Sequence, residues 1–299
     1  MNGTLAVARY SLVELSRRRI LLVFFALGAA GIVLVAVVLK VFSTAFTSNV
    51  RFGSSATNVD PATLDRALEL GFVSDITSVL GIFALLIAFG IGMTVIYHDL
   101  ESGTAISIFS KPVSRAAFAA GKVAAAIVAI AVIVGVLSLE ARLFMLLFGT
   151  GDLGPALWWE TLAQVGNAAL LMLLVMALST WMNNIIAAVV AFVYNAVGGI
   201  VVALHAQDLA GGLGNNAVLK TGLDILYWLV PHQLISDAPR EIAKAEFALV
   251  AASSRGGPTA DQFLSSIPSA SGATDIIWWA FGIAVFALLV YAAVRRRQV

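Results

Sequence analysis

The sequence predicts an all-α membrane protein with six transmembrane helices, because it is rich in apolar residues, poor in charged ones and divided into six long apolar stretches. Of the 299 residues, 60% are hydrophobic and 12% are charged, and the mean hydropathy is +0.96. Soluble domains are about half apolar and about a quarter charged, so this chain carries too little charge to keep such a surface in water. A water-soluble globular domain is therefore excluded.

Each of the six stretches is long enough to cross a bilayer, whose hydrocarbon core of ~30 Å needs about 20 apolar residues. The predicted spans are Ile20 to Phe42, Ile76 to Tyr97, Phe118 to Phe148, Leu157 to Met182, Ile185 to His205 and Ile276 to Val294. The third is longer than the bilayer requires, which predicts a tilt, a protrusion or a bend near Gly135. Asn183 and Asn184 alone join the fourth span to the fifth, so these two spans form an antiparallel hairpin.

The distribution of charge predicts the orientation, because basic residues are concentrated on the cytosolic side of membrane proteins. With both termini in the cytosol, the inner segments hold ten basic and three acidic residues, and the outer segments hold seven basic and thirteen acidic ones. We therefore expect a multi-pass protein with both termini cytosolic. The stretch from Ser16 to Leu21 also resembles a twin-arginine export signal, but the full-length apolar run and five further spans favour a first span.

Three segments outside the spans carry predicted helices. Residues 1–19 are mildly amphipathic, with Leu5, Ala8, Leu12 and Leu15 on one face, which suits a helix lying in the cytosolic interface; the alternative is a helical extension of the first span. The outer loop from Ser43 to Asp75 is expected to contain a short helix that begins near Pro61. The larger outer segment, residues 206–275, is helical and extracytoplasmic in this interpretation, and its apolar run from Leu223 to Val230 is too short to cross.

The cytosolic stretch between the second and third spans contains a compact charged elbow, residues 98–117. Two carboxylates follow the second span, and a Gly-Thr pair then ends one helix and begins a short second one. A Lys-Pro turn and two more basic residues lead into the third span. The residues that define the pattern are Asp99, Glu101, Gly103, Thr104, Lys111, Pro112, Arg115 and Lys122. The unspecific interpretation is that any cytosolic loop of a membrane protein carries such charges.

This pattern resembles the permease subunits of ABC transporters, specifically the type-2 exporter family. In that family an acidic pair, a Gly-Thr, a small helix, a Pro-x-x-Arg-like turn and a lysine recur between the second and third of six spans. The positions that match in order are Asp99, Glu101, Gly103, Thr104, Pro112, Arg115 and Lys122. Asp99 departs from the glutamate that is commoner at the first position. The resemblance extends over most of the chain and is greatest to the shorter permeases of separately encoded systems.

The resemblance implies a single permease domain over residues 1–299 that couples ATP hydrolysis on a partner to export and is not itself an enzyme. The sequence has no G-x-x-x-x-G-K-[ST] phosphate loop, so ATP and Mg²⁺ would bind on a separate ATPase, with no cofactor on this chain. The implied assembly has two ATPase subunits and a second permease copy or homologue, in the inner or plasma membrane of a prokaryote, and no nucleic acid. The seven matching residues would couple the elbow to the ATPase, and Lys111 and Arg115 would anchor it.

A second candidate site lies within the third span, where Glu140 and Arg142 are ionisable residues inside the bilayer and are candidates for a substrate path. Two positions apart on a helix they face about 200° from each other, so we do not expect them to pair directly. The alternative is a structural role between helices, the role also expected of Gln164, Asn167 and Asn195.

No metal site is predicted. The chain has no cysteine, and its three histidines lie at or beyond span ends without a metal-binding spacing. Met172 and Met176 are four residues apart and offer thioethers to copper(I), but packing is the favoured role for methionines in a membrane core. Gly90, Gly92 and the Gly198-Gly199 pair are expected to allow close approach of helices.

Two other function classes stay open from the sequence. The first is a stand-alone secondary transporter or channel with Glu140 and Arg142 in its pathway. The second is a membrane anchor or assembly subunit that acts through residues 206–275. An ATP-driven exporter predicts an ATPase partner at the elbow, a stand-alone transporter predicts gradient-driven transport by the chain alone, and an anchor predicts loss of function when the outer segment is deleted.

Overall fold

The structure, a computed structural model, describes residues 3–52, 61–101, 113–147, 155–209, 216–230, 233–253, 264 and 267–296. These residues form helices and connecting turns, with no strand among them. The helices in these ranges are α1 (Gly3–Ser16), α2 (Arg19–Phe52), α3 (Pro61–Thr94), α4 (Tyr97–Glu101), α5 (Arg115–Leu147), α6 (Pro155–Ser179), α7 (Asn184–Leu209), α8 (Ala217–Leu229), α9 (Ala238–Ser253) and α10 (Ala273–Arg296).

Six of these helices, α2, α3, α5, α6, α7 and α10, are long and apolar enough to cross a membrane, and they coincide with the six predicted spans. The predicted all-α class with six transmembrane helices is therefore confirmed. The spans α6 and α7 are joined by a tight turn and pack against each other, as the predicted hairpin requires. The helix α5 runs unbroken from Arg115 to Leu147, so the extra length of the third span is not divided by a break at Gly135.

The outer loop predicted from Ser43 to Asp75 is largely helical, which corrects the expected short helix. Helix α3 begins at Pro61 and continues without interruption to Thr94, and α2 continues to Phe52. Proline is favoured at the first position of a helix because its missing N–H has no partner there in any case. No second proline follows Pro61 before the span, so the helix that begins there propagates into the membrane.

Helix α6 occupies the centre of the bundle and packs against α3, α5, α7 and α10. Within the membrane, 67% of its span is buried, compared with 22% for α2 and for α7 and 11% for α10. The peripheral spans therefore leave most of their residues outside the core of this chain. Met172 and Met176 are fully buried in α6, where they fill the core between neighbouring spans, in agreement with the packing role.

Helices α3 and α6 approach each other closely at Gly92. A Cβ atom placed on Gly92 would lie 2.8 Å from Cβ of Val175 and 2.9 Å from the carbonyl oxygen of Met172, so only glycine fits there. On Gly90 it would lie 3.3 Å from a side-chain methyl of Leu21 in α2. The expected close approach is confirmed at these two positions. It is wrong at Gly199, where nothing lies within 4 Å.

We expect alanine to have opposite effects at two of these glycines. The change Gly92→Ala forces α3 and α6 apart and should lower the free energy of unfolding by about 1–3 kcal/mol. The matched control, Gly199→Ala, meets open space and gains helix propensity, so it should raise that free energy by about 0.5–1 kcal/mol. Thermal unfolding of both proteins in the same detergent measures the difference, and equal melting temperatures would contradict this account of the α3–α6 contact.

The bundle has two ends, the elbow end and the far end. The elbow end carries α1, α4 and the C-terminus of α10, and the far end carries α8, α9 and the N-terminus of α6. At the far end, residues 233–236 run as an extended, non-helical segment from α8 to α9. Asn167 Nδ2 donates to the Leu234 carbonyl at 2.9 Å, and the Leu234 N–H donates to Asn167 Oδ1 at 2.7 Å.

Further polar side chains hold the same segment. Gln233 Nε2 donates to Asn195 Oδ1 at 2.9 Å, and the Ile235 N–H donates to Ser271 Oγ at 2.8 Å. Non-helical backbone next to spans is stable only when its polar groups are satisfied in this way. Asn167 and Asn195 therefore bond to this segment, whereas the sequence predicted that they bond between helices.

Candidate functional site

The structure describes part of the predicted elbow. Asp99 lies in α4, Arg115 begins α5, and Lys122 lies two turns further along α5. Glu101 is the last residue of α4. The other predicted coupling residues, Gly103, Thr104 and Pro112, and the predicted anchor Lys111 lie outside the described residues.

A turn between α3 and α4 brings Asp99 to α5. Helix α3 ends at Thr94, whose hydroxyl donates to the carbonyl of Gly90 at 2.7 Å, and α4 begins at Tyr97. A threonine that bonds back to the preceding turn tends to bend a helix. Ser114 caps the first turn of α5 by accepting a hydrogen bond from the Ala117 N–H at 3.1 Å. The two helix ends therefore meet with Asp99 facing α5.

Asp99 and Lys122 form an ion pair in the protein interior. Nζ of Lys122 lies 2.5 Å from Oδ2 of Asp99, and the two side chains are 1% and 2% exposed, respectively. Both residues were predicted as coupling residues, but their pairing was not. A buried charge is stable only when a partner compensates the loss of water, so each of these residues depends on the other.

A third element joins the pair through Glu14 of α1. Nζ of Lys122 lies 3.2 Å from Oε2 of Glu14, and Arg18 pairs with the other oxygen of the same carboxylate. Burial would raise the pKa of Glu14, but the opposing attraction of Lys122 and Arg18 is larger and holds this pKa below its ordinary value. Glu14, Arg18, Asp99 and Lys122 form what we call the charge cluster, with two carboxylates and two cations.

Helix α1 packs tightly on α5 beside the cluster. A Cβ atom on Gly121 would lie 2.8 Å from both the Thr4 carbonyl oxygen and Cβ of Val7. Nζ of Lys122 lies 5.9 Å from the ring centroids of Tyr10 and Phe118, an arrangement that favours a cation. The residue at position 121 thus fixes the distance at which Glu14 reaches Lys122.

The buried face of α1 overlaps the predicted one in part, because Leu15 is buried and Leu12 packs against the core, as predicted. Its buried residues are Val7, Ser11 and Leu15, whereas Leu5 of the predicted apolar face is 62% exposed. The contact with α5 decides which face is covered, because the close approach at Gly121 and the bond from Glu14 to Lys122 orient the helix. The amphipathic pattern alone contains neither restraint.

Sequence reasoning missed Glu14 as a site residue, although a signal was present. Lys122 lies in an otherwise apolar stretch from Ala116 to Ile133, and a lysine there requires acidic partners. Glu14 is the one acidic residue among the first nineteen. Arg115, also a predicted site residue, extends the site to α10 because its Nη1 donates to the Arg295 carbonyl at 2.9 Å.

The second predicted site is divided by the structure. Arg142 lies at the far end of α5 with its guanidinium 4.4 Å from the ring centroid of Trp158. It borders a small open cleft between α3, α5 and α6, which we call the arginine cleft. Glu140 is not among the residues that line this cleft, and a substrate path through the two residues stays a prediction. The polar lining residues are Thr77, Ser138, Arg142, Glu160 and Thr161.

An aromatic group holds α8 against the spans at the far end. The ring of His205 stacks on Tyr227 at 4.2 Å, and the Tyr227 hydroxyl donates to Asp275 at 3.2 Å. Burial, together with the Asp275 carboxylate, raises the pKa of Tyr227 to about 12. Trp278 Nε1 donates to the Trp228 carbonyl at 3.0 Å. Tyr and Trp are typical of membrane–water interfaces, so the position of α8 fits an interfacial helix.

Within the described ranges, no three His, Cys, Asp or Glu side chains are arranged to hold a metal ion. Comparison with known proteins gives one family. A family model described as ABC-2 family transporter protein matches residues 5–299. No curated protein matches the sequence.

Proposed function

Because this chain belongs to the ABC-2 family of transporter proteins and is a membrane permease of that kind, we propose that it moves substrate with energy from ATP hydrolysed on a separate subunit. In this proposal residues 1–299 act as one permease domain, the direction is export, and ATP with Mg²⁺ binds on the ATPase. The absence of a phosphate loop in the sequence supports this division of labour.

The charge cluster is the observation that carries the proposal. It joins the elbow helix α4 to α5 through Asp99 and Lys122, and it joins α1 to the same lysine through Glu14. Separating Asp99 from Lys122 would leave Asp99 as a buried, uncompensated carboxylate, which costs several kcal/mol. A movement of α4 therefore displaces α5 and α1 with it, because the ion pairs keep α4 from sliding past these two helices.

The spans receive this motion through their packing. Helix α5 contacts α2, α3, α6 and α10, and α6 in turn contacts every span except α2 among the main packing partners. A rigid displacement of α5 is thus passed to the centre of the bundle. Interfaces of this kind have discrete packings and do not deform continuously, which suits alternation between inward-facing and outward-facing states.

The distribution of charge supports an orientation of the chain in the membrane. The described basic residues of α1, of the start of α5 and of the end of α10 lie at the elbow end, and the predicted outer segments have an excess of acidic residues in the sequence. Basic residues are retained on the cytosolic side, so we propose that both termini and the elbow are cytosolic, in the cell membrane of a prokaryote. The ATPase then has access to the elbow.

The assembly that we propose contains two ATPase subunits and a second permease copy or homologue. ATP-driven closure of the two ATPases would push the elbows of the two permeases, with Asp99, Glu101, Gly103, Thr104, Pro112, Arg115 and Lys122 as the coupling set. The family supports an ATPase partner, and the number of copies is part of the proposal.

The first experiment is extraction of the chain from its native membranes in mild detergent, followed by sequencing of every protein that co-purifies in stoichiometric amount. We expect a soluble-sized companion with a phosphate loop and ATPase activity. A chain that comes out alone, and that transports by itself along an ion gradient after reconstitution, would contradict the proposal and favour a stand-alone transporter.

A further inference from the structure

The arginine cleft contains a buried guanidinium nitrogen that has no hydrogen-bond acceptor in the described part of the chain. Nη1 of Arg142 is buried and has no hydrogen-bond partner among the described residues. Its guanidinium lies over the ring of Trp158. The face of this ring favours a cation, but it supplies no acceptor for the N–H groups that point along the guanidinium plane. An arginine at this depth is costly unless an acceptor is supplied.

The carboxylate inside the cleft is already engaged. Glu160 accepts hydrogen bonds from Gln164 Nε2 at 2.8 Å and from Ser236 Oγ at 2.6 Å. The Ser138 hydroxyl, which also lines the cleft, is buried without a partner in the described part of the chain. The cleft therefore offers a guanidinium N–H and a hydroxyl to a group that accepts hydrogen bonds and carries negative charge.

A phosphate or carboxylate fits this chemistry. Guanidinium groups bind such oxyanions through paired, charge-assisted hydrogen bonds. The cleft is small and open on one side, so an oxyanion oxygen can approach Nη1 of Arg142 from its mouth while the rest of the group stays outside. Arg142 is five residues from Leu147, the last described residue of α5, about 8 Å along the helix axis.

The surroundings of the cleft favour an anion that carries an apolar chain. The surface of α5 next to Arg142 exposes Leu139, Leu143 and Leu146, which are 54% to 65% accessible, and Trp159 of α6 is 59% accessible. An acyl chain beside a bound headgroup would lie on this surface. We propose that the arginine cleft binds the oxyanionic headgroup of a membrane amphiphile, with Arg142 as its charged contact. The proposal does not depend on ATP-driven transport.

The test measures lipid retention by the full chain, together with any subunits that remain bound, by native mass spectrometry from detergent. The probes are phosphatidylglycerol and phosphatidylcholine with the same acyl chains. We expect one tightly held phosphatidylglycerol per chain, retained at least ten-fold more weakly by Arg142→Gln, and no effect of this change on phosphatidylcholine. Lys244→Gln removes the same charge from an exposed pair at the same end, and it should retain the lipid as the natural chain does.

Two further arms keep the result interpretable. Arg142→Lys preserves the charge and should retain the lipid more strongly than Arg142→Gln, which separates loss of the contact from loss of the fold. Equal phosphatidylglycerol retention by the natural chain and Arg142→Gln would overturn the proposal. An excess of inorganic phosphate that displaces the lipid completely would show a site for a soluble anion and would overturn its assignment to an amphiphile.

Discussion

Replacing Lys122 with methionine should destabilise the chain by about 3–5 kcal/mol, the cost of removing one partner from a buried ion pair, and should abolish transport. The lysine is 1% exposed and lies between Asp99 and Glu14. Without it, Asp99 would remain buried as an uncompensated carboxylate, and α1 would lose its polar link to α5. The melting temperature of the purified protein and the amount of protein inserted in the membrane measure the effect.

A double substitution separates charge from structure at this cluster. Asp99→Asn combined with Lys122→Met removes both buried charges, while Glu14 keeps Arg18 as its partner. We expect most of the lost stability to return, because neutral replacement of a buried ion pair costs little. Transport should stay impaired, because α4 is then no longer held to α5 by an ion pair.

The control for this series is Lys220→Met. Lys220 pairs with Asp208 at 3.1 Å but is 36% exposed, so its loss should change stability by about 1 kcal/mol or less. A Lys122→Met protein that melts with the natural chain would show that the cluster does not hold α1, α4 and α5 together. Full transport by the double variant would restrict the cluster to a role in folding.

The spans could be predicted from the sequence because the signal is local. Each stretch of about 20 apolar residues is long enough to cross the bilayer, and this length can be read without knowing which helices surround it. The central position of α6 was not predictable in this way, because its residues are no more apolar than those of α7 or α5. Helix neighbours in a membrane are chosen by close packing, and contacts such as Gly92 against Val175 depend on three-dimensional register.

The candidate site was predictable in its residue types and not in its pairing. Asp99, Arg115 and Lys122 were identified from their order in the elbow, which is a property of the chain. The bond between Glu14 and Lys122 joins residues 108 positions apart and exists because α1 docks on α5 at Gly121. Likewise, Trp158 was not expected beside Arg142, because the contact depends on how α5 and α6 turn toward each other.

The two carboxylates of the elbow, Asp99 and Glu101, are expected to have different roles. Asp99 is already paired with Lys122 within the chain. Glu101 ends α4, and for it we keep the role that the resemblance predicts, a coupling contact with the ATPase. We therefore propose that Asp99 stabilises the chain and that Glu101 is the carboxylate that contacts the ATPase.

Glu101→Ala should therefore uncouple ATP hydrolysis from transport and leave insertion and the melting temperature unchanged. The ATPase would still bind and hydrolyse ATP, but its movement would no longer reach α4 through a charged contact. Parallel assays of ATP hydrolysis and substrate transport in reconstituted vesicles measure the ratio of the two, which we expect to rise at least ten-fold. Glu241→Ala, which removes a half-exposed carboxylate paired with Lys244 at the far end, should leave that ratio unchanged.

Asp99→Asn completes the argument because it should fail in a different way. It removes the partner of a buried lysine, so it should lower the melting temperature and the yield, whereas Glu101→Ala should lower neither. If both variants lose stability equally, the acidic pair is a structural unit and the elbow has no separate coupling carboxylate. If Glu101→Ala keeps natural coupling, the contact with the ATPase lies elsewhere in residues 98–117, and the basic residue Arg115, which already bonds to α10, becomes the next position to change.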